Sequence, residues 1–342
     1  MKKREIWMDG LRILCAFLVI VNHTNSGVFQ AAAPDQAAWW LSTVWYALSK
    51  IAVPVFVLVS GACLLGREDS YRKCFGRFLR IVGALLVFSY GYFLYDAWVY
   101  YGLFPRMLDF GAFFRLIWTE GITDGFWYLY FYAALMLVLP ILQRLSCAMR
   151  GKDCLYLCAL CFGFGAMWPL VEHLWPAVSL PKHFDLPFLS TYLGLFFAGM
   201  LVRRSNRKST LIAAMVLVLS IAGNVAVMRM TYAPGVKYWG FMDDRMNPGF
   251  LTVTAAVAAS VLMRGCFTAK APKLWMELGG CAFGIYLVQD WIITQTEARL
   301  YLPLCGVLPA FPAVLVWEVL VFAIALLAAF VMRRIPLLKK LV

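Results

Sequence analysis

The sequence predicts an all-α, polytopic membrane bundle of about ten transmembrane helices with both termini cytoplasmic, and three observations carry that prediction. Of 342 residues, 63% are hydrophobic and 14% charged, and mean hydropathy is +0.76. Apolar runs of about 15 to 25 residues recur to the end, near the length a helix needs to cross a bilayer. Lys and Arg then concentrate in alternate connections, 22 on one side against seven on the other. Short cytoplasmic loops hold such an excess, so the richer side is cytoplasmic. The expected spans are 11–28, 40–65, 78–98, 126–145, 155–171, 186–202, 211–228, 249–263, 278–293 and 308–332, within a single domain over 1–342.

The first span holds the most informative pair. Eleven residues separate Arg12 from His23, which on a helix puts both on one stripe about 16 Å apart along the axis. Asp9 falls near the same stripe. An ionisable group inside a membrane helix costs roughly 2.5–3.5 kcal/mol and is kept where it faces a protein interior or watery cavity. A neutral imidazole accepts a hydroxyl proton near pH 7, so His23 is the candidate general base. Arg12 keeps its proton and suits a phosphate or a developing negative charge; read otherwise, it snorkels to the inner head groups. Lys2 to Arg4, an apolar core and Ala31-Ala32-Ala33 loosely resemble a secretory signal, but Asn22 and His23 interrupt that core and further spans follow, which favours a retained helix.

In the second span Lys50 enters from the outer side ahead of Pro54, and Ser60-Gly61 suits either close helix packing or a polar contact. Arg67, Arg72, Lys73, Arg77 and Arg80 gather around the start of the third span and read as cytoplasmic charge. The stretch from Met107 to Trp118 mixes Phe110, Phe113, Phe114, Leu116 and Ile117 with Asp109 and Arg115, the composition of a short interfacial amphipathic helix. Asp124-Gly125-Phe126-Trp127-Tyr128 opens the fourth span at the outer interface, where Trp and Tyr are expected.

Cys154, Cys158 and Cys161 share a face of the fifth span with no His or carboxylate at ligand spacing, and read as small packing residues rather than a metal site. Only Cys305 of the ten cysteines falls on the outer side, so no disulfide scaffold is expected. The outer connections carry His173, Trp175, Lys182 and His183, then Tyr232, Lys237, Tyr238, Trp239, Asp243, Asp244 and Arg245. Rings and charges there suit either a polar acceptor such as a carbohydrate or an aromatic belt at head-group level. Gln289 and Asp290 lie late in the ninth span, and Glu318 in the tenth. The net charge of +13 sits in short loops, so topology explains it and nucleic acid is not an expected partner.

In order along the chain, Asp9-Gly10-Leu11-Arg12 to His23, Pro54-Val55-Phe56 to Ser60-Gly61, Trp127-Tyr128-Leu129 to Leu139-Pro140, Leu193-Gly194-Leu195-Phe196-Phe197-Ala198-Gly199 and Phe283-Gly284-Ile285-Tyr286-Leu287 resemble the motifs of the acyltransferase family 3 of integral membrane proteins. The resemblance implies an acyltransferase of groups other than aminoacyl groups, residing multi-pass in the cell membrane. It implies transfer of an acyl group, commonly acetyl, from a cytoplasmic acyl-CoA co-substrate such as acetyl-CoA to a glycan, lipid or other envelope acceptor, with no permanently bound cofactor. Arg12 and His23 match the family's Arg and His of the first helix. Asp9, Lys50, Ser60, Trp127, Tyr286 and Gln289 are the candidate substrate-binding residues. Two departures stand out, Gly125 and Gln289, where the family often carries His.

Two rival classes are weighed. A carrier or flippase would use Arg12 and His23 to line a path for an anionic solute or lipid without making a bond; an inactive membrane module would only bind. The sequence shows no inverted repeat and no matched pair of broken helices, which disfavours the carrier.

Overall fold

Glu5 ties together three helix ends that are far apart in sequence and gathers them at one end of the bundle. In the computed structural model, which describes residues 5–101, 109–119, 121–175, 177–178, 189–205, 209–232, 248–267, 269 and 272–342, every element among the described residues is helical. Glu5 immediately precedes α1 (Ile6–Thr24), and its carboxylate lies 3.6 Å from Arg203 and 3.5 Å from Arg264. Arg203 lies in the last turn of α10 (Thr191–Arg204) and Arg264 in the last turn of α12 (Phe250–Cys266), so these three termini share one end of the bundle.

Between them the chain forms α2 (Ser26–Ala31), α3 (Ala37–Ser49), α4 (Ala52–Leu64), α5 (Tyr71–Tyr101), α6 (Phe110–Thr119), α7 (Trp127–Ala148), α8 (Gly151–Phe162), α9 (Trp168–Leu174) and α11 (Thr210–Met230). After α12 come α13 (Lys273–Thr296), α14 (Leu302–Cys305) and α15 (Ala310–Met332). Among the described residues seven segments are long and apolar enough to cross a membrane, namely Ile6–Thr24, Ala37–Leu64, Tyr71–Val99, Asp124–Ala148, Gly151–His173, Thr210–Met230 and Ala310–Met332. This is a multi-pass membrane protein. The other three expected spans are helices as well, α10, α12 and α13. α10 has only 14 residues, about 21 Å at 1.5 Å per residue, short of the roughly 30 Å hydrocarbon core.

Outward apolar faces fit that solvent. On α11, Leu211, Ile212, Met215, Val218 and Leu219 are all exposed, a stripe at helical spacing that water would disfavour and lipid accepts. α6 matches the amphipathic expectation: Phe113 and Ile117 are buried while Phe110, Phe114 and Trp118 form an exposed line. Asp109 caps it, its Oδ1 accepting the Ala112 N–H at 2.8 Å.

Two expectations need correction. The second span is not one helix but α3 and α4, broken at Lys50 and Ile51. Pro54 has no N–H to offer the Lys50 carbonyl, and its ring crowds that carbonyl, so the ladder stops there. Lys50 therefore lies at a helix junction, its Nζ 4.3 Å from the centre of the Tyr46 ring. Arg80, read as cytoplasmic loop charge, lies within α5, which starts at Tyr71 rather than near residue 78.

The tightest seam joins α4 to α10. A Cβ on Gly61 would fall 1.7 Å from the Phe196 carbonyl oxygen, and one on Gly199 would fall 2.1 Å from that of Leu58. Only glycine allows the two backbones this approach, the packing use expected for Gly61. Cys154 and Cys158 pack α8 onto α10, their Sγ atoms 3.5 and 3.4 Å from the carbonyls of Phe197 and Gly194. All ten cysteines are free.

The link from α4 to α5 is held by Asp69. Its carboxylate takes Lys73 Nζ at 2.6 Å, an Arg77 nitrogen at 2.7 Å and Gln143 Nε2 at 3.3 Å. Burial pushes the carboxyl up, but the hydrogen bonds from Lys73, Arg77 and Gln143, with the charge of Arg77, outweigh it and hold Asp69 well below the usual carboxylate range.

Candidate active site

Five helices meet around a cavity of about 510 Å³. Met8, Arg12 and Val19 come from α1, Phe56, Ser60 and Cys63 from α4, Arg80 and Ile81 from α5, Tyr128 and Tyr132 from α7, and Gly279, Gly280, Ala282, Phe283 and Tyr286 from α13. Side chains at positions 8, 12 and 19 share a face because the spacings of four and seven residues return to nearly the same direction.

One end of the cavity is cationic. Arg12 is 25% exposed and Asp9 is fully buried; Arg12 donates to Asp9 Oδ1 at 3.0 Å and to Cys63 Sγ at 3.2 Å. Arg80 lines the same space and donates to the Leu341 carbonyl at 3.3 Å. Two guanidinium groups lining one cavity suit an anionic ligand. Tyr132 donates its hydroxyl to Ser60 at 3.2 Å and stacks on Tyr128 with ring centres 5.5 Å apart, giving the middle of the cavity an aromatic wall.

The other end reaches Val19 and Tyr286. His23 stands four residues beyond Val19, one turn or about 6 Å along α1. Its Nε2 lies 3.9 Å from Asp290 Oδ1, with side-chain exposures of 35% and 21%. Asp290 in turn stands one turn beyond Tyr286. The Tyr286 hydroxyl donates to the Gly125 carbonyl, which pins the short turn Asp124–Phe126 against α13. A Cβ on Gly125 would sit 2.1 Å from Asp290 Oδ2, so the carboxylate occupies the volume a side chain at 125 would need.

Of the residues named from sequence, Arg12, Ser60 and Tyr286 line one cavity, Asp9 supports Arg12 from beneath, and His23 lies just past the cavity's far end. The others are elsewhere. Lys50 is at the α3–α4 junction. Trp127 packs with Tyr128 and Tyr192, ring centres 6.1 and 6.3 Å away. Gln289 is fully buried with neither amide atom hydrogen-bonded among the described residues. His173 is exposed near the end of α9. Lys2, Lys3, Arg4, Arg106, Met107, Lys182, His183, Arg207, Lys208, Lys237, Tyr238, Trp239, Asp243, Asp244, Arg245 and Lys270 lie outside the described residues. Glu318 is buried and accepts from Thr24 Oγ1 at 3.0 Å and Trp45 Nε1 at 2.9 Å.

Sequence reasoning missed Arg80, Cys63, Tyr128 and Tyr132 as cavity residues. Tyr128 and Tyr132 stand four apart, a same-face spacing visible in the sequence, whereas Arg80 was masked by the basic loop before it.

The family model for acyltransferase family 3, described as an acyltransferase domain, matches residues 5–334, nearly the whole chain. No curated protein and no solved structure matches the chain.

Proposed function

Because the chain belongs to the acyltransferase family 3 and is a membrane acyltransferase, we propose that it takes an acyl group, acetyl in the first instance, from cytoplasmic acyl-CoA and places it on a hydroxyl of a glycan, lipid or other envelope acceptor at the cell membrane. The observation that carries this reading is the cavity itself, which runs from the Arg12 and Arg80 guanidinium groups to within one turn of His23.

The donor's phosphates sit at the cationic end, facing the cytoplasm, and its thioester arm extends past the Tyr128 and Tyr132 rings. At the far end His23 takes the acceptor hydroxyl proton as that oxygen attacks the thioester carbonyl carbon. A carbon–oxygen bond forms, the carbon–sulfur bond breaks, and the imidazolium returns its proton to the departing thiolate, leaving ester and free thiol. Acyl-CoA is a co-substrate in this scheme and no resident cofactor takes part.

Purified protein in detergent, given acetyl-CoA labelled in the acetyl group and an envelope fraction as acceptor, is expected to release free coenzyme A thiol and label the acceptor. Transport of an anionic solute by vesicles containing the protein, with acetyl-CoA left intact, would instead establish the carrier.

A further inference from the structure

We propose that Asp290 is the positioning residue for His23, and that it acts as one only because position 125 carries no side chain. The inference rests on the function above solely for what His23 does; the His23–Asp290 relationship stands on geometry.

His23 Nε2 lies 3.9 Å from Asp290 Oδ1, beyond direct hydrogen-bond reach but near enough that the carboxylate's negative charge favours the neutral ring tautomer with its proton on Nε2. That leaves Nδ1 as the accepting nitrogen. When the ring gains the acceptor's proton the carboxylate stabilises the imidazolium without taking that proton, so Asp290 orients the base and is not itself the base. Glu318, the other acid packed beside α1, accepts from the Thr24 hydroxyl and the Trp45 indole N–H and is committed to those donors.

Two further features hold Asp290 in place. Its Oδ2 lies 2.1 Å from where a Gly125 Cβ would be, so any larger residue at 125 displaces the carboxylate. The Tyr92 hydroxyl also donates to the Leu287 carbonyl at 3.3 Å and accepts from the Trp291 N–H at 3.1 Å. Those two groups flank Asp290 on α13, so the Tyr92 hydroxyl braces the turn that carries the carboxylate. Asp290 lies inside that turn. This chain thus meets His23 with a carboxylate at a site built from a glycine, a bracing tyrosine and the Asp290 residue itself.

The test uses full-length protein labelled with ¹⁵N-histidine in detergent, at a pH where the ring is neutral. The chain has three histidines, and His23 is assigned by the signal missing from His23→Ala. The parental His23 is expected as the Nε2–H tautomer, and both Asp290→Ala and Gly125→Ala are expected to shift it to a tautomer mixture. In acetyl-CoA turnover, Asp290→Asn should lower kcat at least roughly tenfold with the KM for acetyl-CoA nearly unchanged, as for loss of a base-orienting acid. The double variant Gly125→Ala/Asp290→Ala should be no worse than the poorer single, because both remove one contact. An unchanged tautomer in folded Asp290→Ala or Gly125→Ala overturns the proposal, as does undiminished kcat in Asp290→Asn when His23→Ala is inactive. If parental protein turns over no acetyl-CoA, the enzymatic reading fails alone, and the tautomer measurement still decides the role of Asp290.

Discussion

Arg12 and Asp9, three residues apart on α1, form a 3.0 Å ion pair in which the carboxylate is fully buried and the guanidinium is a quarter exposed. The buried partner therefore aims the open side of Arg12 at the cavity. Arg12→Ala is expected to raise the KM for acetyl-CoA about 10- to 100-fold, the range for losing one charged hydrogen-bond partner. Steady-state kinetics on detergent-solubilised protein measures this, and an unchanged KM would remove Arg12 from the donor site.

His23→Ala is expected to lower acyl transfer by about 10²–10⁴-fold, the usual contribution of a positioned acid–base group, with protein yield and donor binding retained. Turnover near the parental rate in folded protein would reject His23 as the base.

Packing at the α4–α10 seam makes a prediction independent of chemistry. Gly61→Leu places atoms where the Phe196 carbonyl oxygen already lies, 1.7 Å from the ideal Cβ position. Overpacking costs about 1–3 kcal/mol or more, so the thermal midpoint in detergent should drop by several degrees or folded yield collapse. An unaltered midpoint would show that the seam is looser than these distances.

Asp69 gives the stability a pH dependence of known sign. Its folded carboxyl is held below the ordinary value of 3.8, so the folded state favours the ionised form. Its contribution is complete above the unfolded carboxyl's range and is lost as pH falls through the lowered folded value. Asp69→Asn should therefore lower the melting temperature at pH 7 and reduce the further loss on acidification. Equal melting temperatures for both proteins at pH 7 would contradict this.

The orientation proposed from the basic residues puts the Glu5, Arg203 and Arg264 end of the bundle in the cytoplasm. Reporter fusions after Gly66 and after Thr119 should report opposite sides, Gly66 inside. Both fusions on one side would undo the expected alternation of spans two to four.

The helical class, the multi-pass character and the placement of Arg12 and His23 on one helix were legible because apolar length and the 3.6-residue period are local properties of sequence. Within the Ala37–Leu64 span the helix break at Lys50 was missed although Pro54 carried the signal for it, since proline acts on the carbonyl four residues earlier. Arg80 was hidden because charge counting assigns a residue to a loop without asking where the helix starts. Asp290 was noticed but had no role, because its partner is 267 positions away and its room depends on an absent side chain at Gly125. Such vacancies become visible only once helices are packed.

The α4–α10 seam has a consequence for how the chain is made. Gly199 follows Gly61 by 138 positions, and at ~5–20 residues per second α4 spends about 7–28 s without its partner. α10, at 14 residues, is too short to settle in a bilayer on apolar length. Its stable insertion therefore draws on partners already in the membrane, the glycine face of α4 and the cysteine face of α8, so assembly of this bundle is ordered in time, with early helices acting as a template for the late one.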